Sequence, residues 1–597
     1  MCGIVAIFGH GAGAPPVAPA ELRTIRDAMA ARGPDDAGEW FGGDGAIALG
    51  SRRLAIIDPS PAGHQPMISA DGGLVVALNG EIYNHQALRD ELVQAGVAFR
   101  TRSDTEVLLA LYRRDGPAMV ERLRGMYAIA LWDEARQGLL LARDPLGIKP
   151  LYLADDGRTL RAASQVKALI AGGAIDPAPE PAGHAGFLLW GYVPEPFTLH
   201  RSITALPAGA VRWIGRSGHT TDAGRFDLAG ELRAARAGPL PDLAGALADS
   251  VRHHHVSDVP VGMFLSAGID SSAIVALSRE GAPSDRLITL TLGFVDAAGQ
   301  VDETAIAAAT ARRYGTEHHE RRFGRADFKG RLERMLAAMD QPTVDGINTY
   351  LVSAVARECG LKVALSGLGG DELFGGYPSF RHVPAAARWL RPFGVLPGLG
   401  RGFRRLAAPL CRRLGSPKWA SLLEYGGGWS GAYLLRRGLF MPWELPELIG
   451  PDLARAGWER LQPLARLDET IAGVEGDRPR VAALELAWYM RGQLLRDADW
   501  AGMAHSIEIR TPLVDRDLFR AVARHWAAGR APGKADLAAA PAAPLPAAVL
   551  DRPKTGFAVP VRAWLAGEAA GRGLRGWAAM VYRAAVGSAL TRPAPAG

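Results

Sequence analysis

A cysteine stands second in the chain, in Met1-Cys2-Gly3-Ile4, and removal of Met1 would put a thiol and a free α-amine on one residue. The thiolate is the reactive form of cysteine. An amine titrating near about 8 can take the thiol proton with no second side chain. Alone, such a cysteine is an ordinary second residue. Three other segments supply the remaining parts of an amide hydrolase. Asn79-Gly80-Glu81-Ile82-Tyr83-Asn84 follows the apolar run 74–78, so Asn79 and the Gly80 N–H sit at a strand end. Together they can form an oxyanion hole, worth about 3–4 kcal/mol per donor. Ser51-Arg52-Arg53-Leu54 offers a guanidinium for a carboxylate, and Ser103-Asp104-Thr105-Glu106 an acid for an ammonium group. Each has a local reading too: Asn-Gly makes turns, Ser103 with Glu106 spells a capping box, and paired arginines decorate surfaces.

A second set of residues suits a polyphosphate. Met263-Phe264-Leu265-Ser266-Ala267-Gly268-Ile269-Asp270-Ser271-Ser272 runs from a strand into a helix, presenting N–H groups and hydroxyls to an anion, with Asp270 able to hold Mg²⁺. Leu365-Ser366-Gly367-Leu368-Gly369-Gly370-Asp371-Glu372 is a second glycine-rich turn with an acidic pair. No Gly-Lys-Ser/Thr is present, which excludes a kinase-type P-loop. Two such turns, each after a strand, are the layout of a nucleotide crevice. His253-His254-His255 and His318-His319-Glu320 lack a third ligand spaced for zinc, so they read as solvated or locally bonded.

These residues need scaffolds of two textures. The length of 597 residues favours two domains. Residues 1–215 are β-rich, with apolar runs at 3–8, 46–49, 74–78, 127–132 and 138–142 and helical patterns at 86–95 and 105–114. Residues 216–240 are polar and aperiodic, a linker. From 241 to 597, buried-strand patterns at 261–265, 287–294 and 362–365 alternate with helices, predicting a doubly wound parallel sheet with added helices over 380–500. Loops are expected over 527–546, and fraying over 587–597. The net charge is +6; the Lys and Arg residues are spread out and their densest cluster, around Arg401–Arg413, is short, which disfavours nucleic acid as a partner. Three cysteines form no disulfide framework, and no apolar run reaches the length of a membrane span, so a cytoplasmic protein without a membrane partner is expected.

The N-terminal half resembles the class II glutamine amidotransferases, N-terminal-nucleophile hydrolases with a layered αββα fold. The resemblance implies that Cys2 attacks the glutamine side-chain amide with its own amine as base. Arg53, which directly precedes Leu54-Ala55-Ile56, would hold the glutamine carboxylate. Glu81 and Asp104 would hold its ammonium, and Asn79 and Gly80 the oxyanion. The turn at 263–272 resembles the PP-loop of N-type ATP pyrophosphatases. With Leu494-Leu495-Arg496-Asp497-Ala498-Asp499, Met503-Ala504-His505-Ser506-Ile507-Glu508-Ile509-Arg510 and Arg552-Pro553-Lys554-Thr555-Gly556-Phe557, the whole chain resembles glutamine-hydrolysing asparagine synthetases.

That resemblance implies glutamine, ATP with Mg²⁺, and an acceptor carboxylate, aspartate first. Leu265, Leu292, Ser366 and Gly367 would line the adenosine site, and Ser266, Gly268, Ser271 and Ser272 the phosphates. Asp270 and Asp371 would bind Mg²⁺, and Lys554 would stabilise the departing pyrophosphate. Three positions depart from the pattern. Ala267 replaces a glycine, Leu368 stands where some relatives carry a Glu linked to acyl-adenylate formation, and Trp500 stands where a basic residue is common. These leave two alternatives: a uronic acid or other polysaccharide or antibiotic precursor as acceptor, or a nucleotide-binding relative without catalysis. A homodimer is left open.

Overall fold

The computed structural model describes residues 2–11, 13–236, 238–282, 286–295, 303–394, 397–414, 416–552, 560, 564 and 573–587. Lys554 and residues 588–597 lie outside the described residues.

Two six-stranded antiparallel sheets form the N-terminal half. The first comprises β1 (Cys2–Gly9), β2 (Asp36–Phe41), β3 (Ile47–Arg53), β8 (Tyr152–Asp155), β9 (Thr159–Ala163) and β10 (Thr204–Ala205), in the order β10-β8-β9-β1-β3-β2. The second comprises β4 (Met67–Ile68), β5 (Leu74–Ile82), β6 (Gly125–Asp133), β7 (Gly138–Arg143), β11 (Ala210–Gly215) and β12 (Thr220–Arg225), ordered β12-β11-β7-β6-β5-β4. Ile4, Ala6 and Phe8 of β1 meet Val75 and Ala77 of β5 between the sheets, with Phe8 edge-on to Trp132 at 5.3 Å. Val5 and Ile7 point the other way, against helices α1 (Pro19–Asp27) and α4 (Val166–Ala171). Val76 and Leu78 pack under α2 (His85–Gln94) and α3 (Asp104–Asp115). Both faces of each central strand are therefore covered, which is why β1 and β5 read as unbroken apolar runs. The layers are αββα.

Strand β12 lies inside the stretch expected as a linker. It pairs with β11 from Ala210↔Arg225 to Ile214↔Thr220, and a short helix, Leu228–Ala234, follows. All six β12 residues are exposed, so this edge strand has no buried face and no period-two pattern to betray it.

The C-terminal half is built on a five-stranded parallel sheet: β13 (Val261–Phe264), β14 (Ile288–Phe294), β15 (Glu317–Phe323), β16 (Val363–Leu365) and β17 (Glu508–Arg510), ordered β15-β14-β13-β16-β17. Helices run through most of 379–503, as expected. The region 527–546, expected as loops, contains a short helix, Lys534–Ala538. No helix among the described residues is long and apolar enough to cross a membrane.

Candidate active sites

Strand β1 lies beside β3 in the register Cys2↔Arg53, and the Cys2 backbone nitrogen donates to Asn79 Oδ1 across the sheet interface at 3.1 Å. Asn79 is fully buried and also donates through Nδ2 to Ser164 Oγ (3.4 Å), a hydroxyl that itself accepts the Ile4 N–H. Gly80 has φ +147°, and a Cβ there would come within 2.0 Å of the Met126 carbonyl oxygen, so only glycine fits. Burial pushes the Cys2 thiol up, opposed by the Leu54 N–H and the Arg53 guanidinium. The nucleophile candidate therefore needs a local base to ionise.

Arg53 donates to the carbonyls of Ile57 (3.0 Å), Asp58 (2.7 Å) and Ser60 (3.3 Å), tying down the loop that follows β3. Asp104 Oδ2 accepts the Ile82 N–H at 2.9 Å, which brings it to the end of β5 beside Glu81. The capping box at Ser103 is half made. Ser103 Oγ accepts the Thr105 N–H, but Glu106 turns back to the N–H groups of Arg100 and Thr101. Burial, with Glu508 and Asp104 nearby, pushes the Glu81 carboxyl well above the usual carboxylate range. Among the described residues its Oε2 has no hydrogen-bond partner, nor has Arg510 Nη2, 4.0 Å away. Two buried, unsatisfied groups facing each other mark a place for a further polar group.

Sequence reasoning missed Arg32. Its Nε donates to the Cys2 carbonyl at 3.2 Å, while Nη1 and Nη2 bond Asp499 at 2.6 and 3.0 Å. Burial opposes the guanidinium charge, and Asp499 more than restores it. A carboxylate of the second half thus reaches the nucleophile's own backbone through one arginine. Gly33 makes room, since a Cβ there would lie 2.2 Å from the Arg52 carbonyl. Beside this polar contact is an apolar one: Leu54, Ile56 and Ile57 pack on Val363 and Met503.

In the parallel sheet, β13 turns into helix Ile269–Gly281 and β16 into the short helix Gly370–Phe374. The two turns touch. A Cβ on Gly367 would lie 3.1 Å from both Asp270 Cβ and the Ser271 nitrogen, and one on Gly370 within 2.6 Å of the Asp270 carboxylate. Ser266 Oγ and Ser271 Oγ are 3.0 Å apart, and Gly268 N–H donates to Ser266 Oγ (3.2 Å). Among the described residues Ser272 Oγ is buried without a partner, and Leu265 and Leu292 are buried. The Ser366 N–H donates to the Arg510 carbonyl at 2.8 Å, so β17 braces the second turn and carries the Arg510 that faces Glu81.

Lys534, from the helix missed in the sequence, reaches between the turns. Its Nζ contacts Asp270 Oδ1 and lies 2.8 Å from Asp371 Oδ1. Burial opposes the ammonium charge, but the two carboxylates raise its pKa above the ordinary lysine value. Among the described residues no group of three or more His, Cys, Asp or Glu could hold a metal ion. The histidine runs bond locally: His253 to the Asp249 carbonyl, His254 to that of Ser250, His255 to Ser278, and His318 to Thr289.

Comparison with known proteins fits both halves. Residues 1–224 match the model of a glutamine amidotransferase domain, and residues 242–584 that of asparagine synthase. The chain belongs to the asparagine synthase family. A Mycobacterium tuberculosis protein provisionally named a glutamine-hydrolysing asparagine synthetase is 36% identical, over 95% of this chain and 89% of its own. Glutamine-hydrolysing asparagine synthetase 1 of Bacillus subtilis is 33% identical over 95% and 88%, and asparagine synthetase B of Escherichia coli 34% over 65% and 66%. As a member of this family, the chain is a glutamine-dependent amide ligase that uses ATP.

Against the family pattern, Leu368 is a half-buried side chain packed on the core. Trp500 is buried, donates through Nε1 to Asp497 Oδ1 (2.8 Å) and stacks on Tyr350. The close approach of Gly346, with φ +85°, lets it in. Burial, with Asp345 nearby, pushes the Asp497 carboxyl up to about 8. A raised carboxyl pKa makes the folded state the better proton binder between the unfolded value and 8. Stability from this group is full at low pH and is lost as pH rises through that window, by at most about 1.4 kcal/mol per pH unit. Asp497→Asn should remove this slope: its urea midpoint should gain on the parent steadily from pH 5 to pH 8. Parallel profiles would show that Asp497 does not carry the proton.

Proposed function

We propose that the chain hydrolyses glutamine at Cys2 and passes the ammonia to an adenylated carboxylate, that of aspartate, releasing AMP and pyrophosphate. The observation that carries this reading is the pairing of two prepared centres. The Cys2 nitrogen rests on Asn79 beside a Gly80 that admits no side chain, and two phosphate-type turns meet at Asp270 one strand from Arg510.

In the first half-reaction the Cys2 amine takes the thiol proton and the thiolate attacks the glutamine amide carbon. Asn79 Nδ2 and the Gly80 N–H receive the oxyanion, Arg53 the α-carboxylate, and Glu81 and Asp104 the ammonium. Collapse expels ammonia and leaves a thioester, which water opens to glutamate. In the second, the acceptor carboxylate attacks the α-phosphorus of ATP bound on Ser266, Gly268, Ser271 and Ser272, with adenosine against Leu265, Leu292, Ser366 and Gly367. Pyrophosphate leaves, and ammonia captures the acyl-adenylate. Asp270 and Asp371 suit Mg²⁺, which takes one or two carboxylates and completes its shell with phosphates and water; bound there it would neutralise phosphate charge. Lys534 would swing from the carboxylates to the phosphates, and Lys554 would serve the departing pyrophosphate. The apolar contact of Leu54, Ile56 and Ile57 with Val363 and Met503 supports a water-poor route that keeps ammonia unprotonated. We assign the reaction to the cytoplasm, consistent with three cysteines unpaired in the structure.

Leu368 favours weighing a second acceptor class, uronic acids, because leucine cannot act as a base. ATP–pyrophosphate exchange with each acid in turn decides. Exchange that requires aspartate is expected; exchange with a uronic acid and none with aspartate would move the acceptor.

A further inference from the structure

Among the described residues, helix Pro397–Arg413 has one face without a partner. Leu399, Phe403, Leu406 and Leu410 recur at spacings of four, three and four, one stripe of a helix, and all are exposed. Leu406 is 84% exposed and Leu410 61%, values rare for leucine in a folded chain. Leu414 continues the stripe. The other side of the helix is packed, with Gly400 against the backbone of Leu423 and Glu424. Neighbouring elements add exposed aromatics: Trp389 ends helix Ser379–Trp389, Phe393 lies in Arg391–Gly394, and Trp419 in the turn Pro417–Ser421. The last two pack directly on the helix. An exposed apolar stripe with exposed aromatics on neighbouring elements marks an interaction site.

Charge says what covers it. From residue 373 to 423 the sequence has nine Lys and Arg residues and no Asp or Glu. That exceeds the formal +6 of the whole chain, so the remainder is net acidic. Arg404 and Arg412 are spoken for by Glu424 and Glu447. Arg391, Arg401, Arg405 and Arg413 are exposed and have no acidic partner among the described residues. Helical spacing sets Arg413 at the edge of the stripe and Arg405 further round, on stems long enough to snorkel.

We propose that this face is a peripheral docking surface for an anionic phospholipid bilayer. The helix lies in the headgroup layer, its leucines and Phe403 enter the acyl boundary, and Trp389 and Trp419 sit at interfacial depth. Arg413, at the edge of the stripe, and the long Arg405 side chain meet lipid phosphates, and Arg391 and Arg401 add to the positive field of the segment. A second copy would instead bring two uncompensated basic segments together, which like-charge repulsion opposes. A bilayer docked this way is a membrane partner the sequence does not lead one to expect, and docking needs no membrane-spanning helix.

The test is co-sedimentation of the full chain with phosphatidylcholine vesicles, with and without phosphatidylglycerol. Expected is partition about tenfold stronger onto the anionic vesicles, weakening as salt rises from about 0.1 to about 0.5 M. The double variant Leu406→Ser, Leu410→Ser should lose that partition about tenfold while its glutaminase activity stays that of the parent. Equal partition onto both vesicle types, or none, overturns the proposal. So does a double variant that binds vesicles like the parent; if light scattering then shows a dimer turned monomer, the face belongs to a second copy.

Discussion

Cys2→Ala will abolish glutamine-dependent amide synthesis, by roughly four orders of magnitude, and leave synthesis from free ammonium salts within about twofold. The first effect follows because alanine offers no atom to attack the amide carbon, and no other cysteine stands near. Cys359 and Cys411 lie in the second half. The second follows from where the mutation acts. The sulfur's partners, the Leu54 N–H and the Arg53 guanidinium, lie in the first half, and the Cys2 backbone keeps its nitrogen on Asn79 and its carbonyl on Arg32 in the alanine variant. The Arg32–Asp499 contact therefore survives, and with it the geometry of the second half. Both rates come from one product assay run with each nitrogen donor. Loss of the ammonia-dependent rate together with the glutamine-dependent one would contradict the separation of the two sites.

Lys534→Met is expected to lower ATP–pyrophosphate exchange by about two to three orders of magnitude, with glutaminase activity unchanged. The lysine ammonium lies between Asp270 and Asp371, and methionine would leave those two carboxylates facing each other. Like charges so placed raise each other's pKa and repel an incoming polyphosphate. Lys534→Arg should recover part of the exchange, since the charge returns with a different shape. Exchange at the parental rate in Lys534→Met would remove the lysine from the account of ATP use.

Much of the first centre was legible because its parts are short and local. Asn79 and Gly80 follow a plain apolar run, but they do not end the strand as expected: β5 continues to Ile82, paired with β6, and Gly80 is fixed by a backbone angle that only glycine adopts readily. The two phosphate-type turns were legible for the same reason, each being a strand, a glycine turn and a helix start. What joins the centres was not. Arg32 and Asp499 are 467 residues apart, and the Arg510 facing Glu81 lies on the last strand of the other sheet. No periodicity announces such a pair. Lys534 was hidden for a different reason. Its helix is five residues long in an Ala/Pro-rich stretch, too short to show a repeat. Strand β12 was missed because an edge strand exposed along its whole length has no apolar alternation to read.

The most direct measurement of the central claim follows heavy nitrogen from the side chain of glutamine. The intact chain is given amide-labelled glutamine, ATP, magnesium and aspartate, with unlabelled ammonium in the medium. Labelled amide product is expected, with one AMP formed per amide and little dilution by the medium. Glutamate released with no ATP-dependent amide, or amide accompanied by ADP in place of AMP, would contradict that claim.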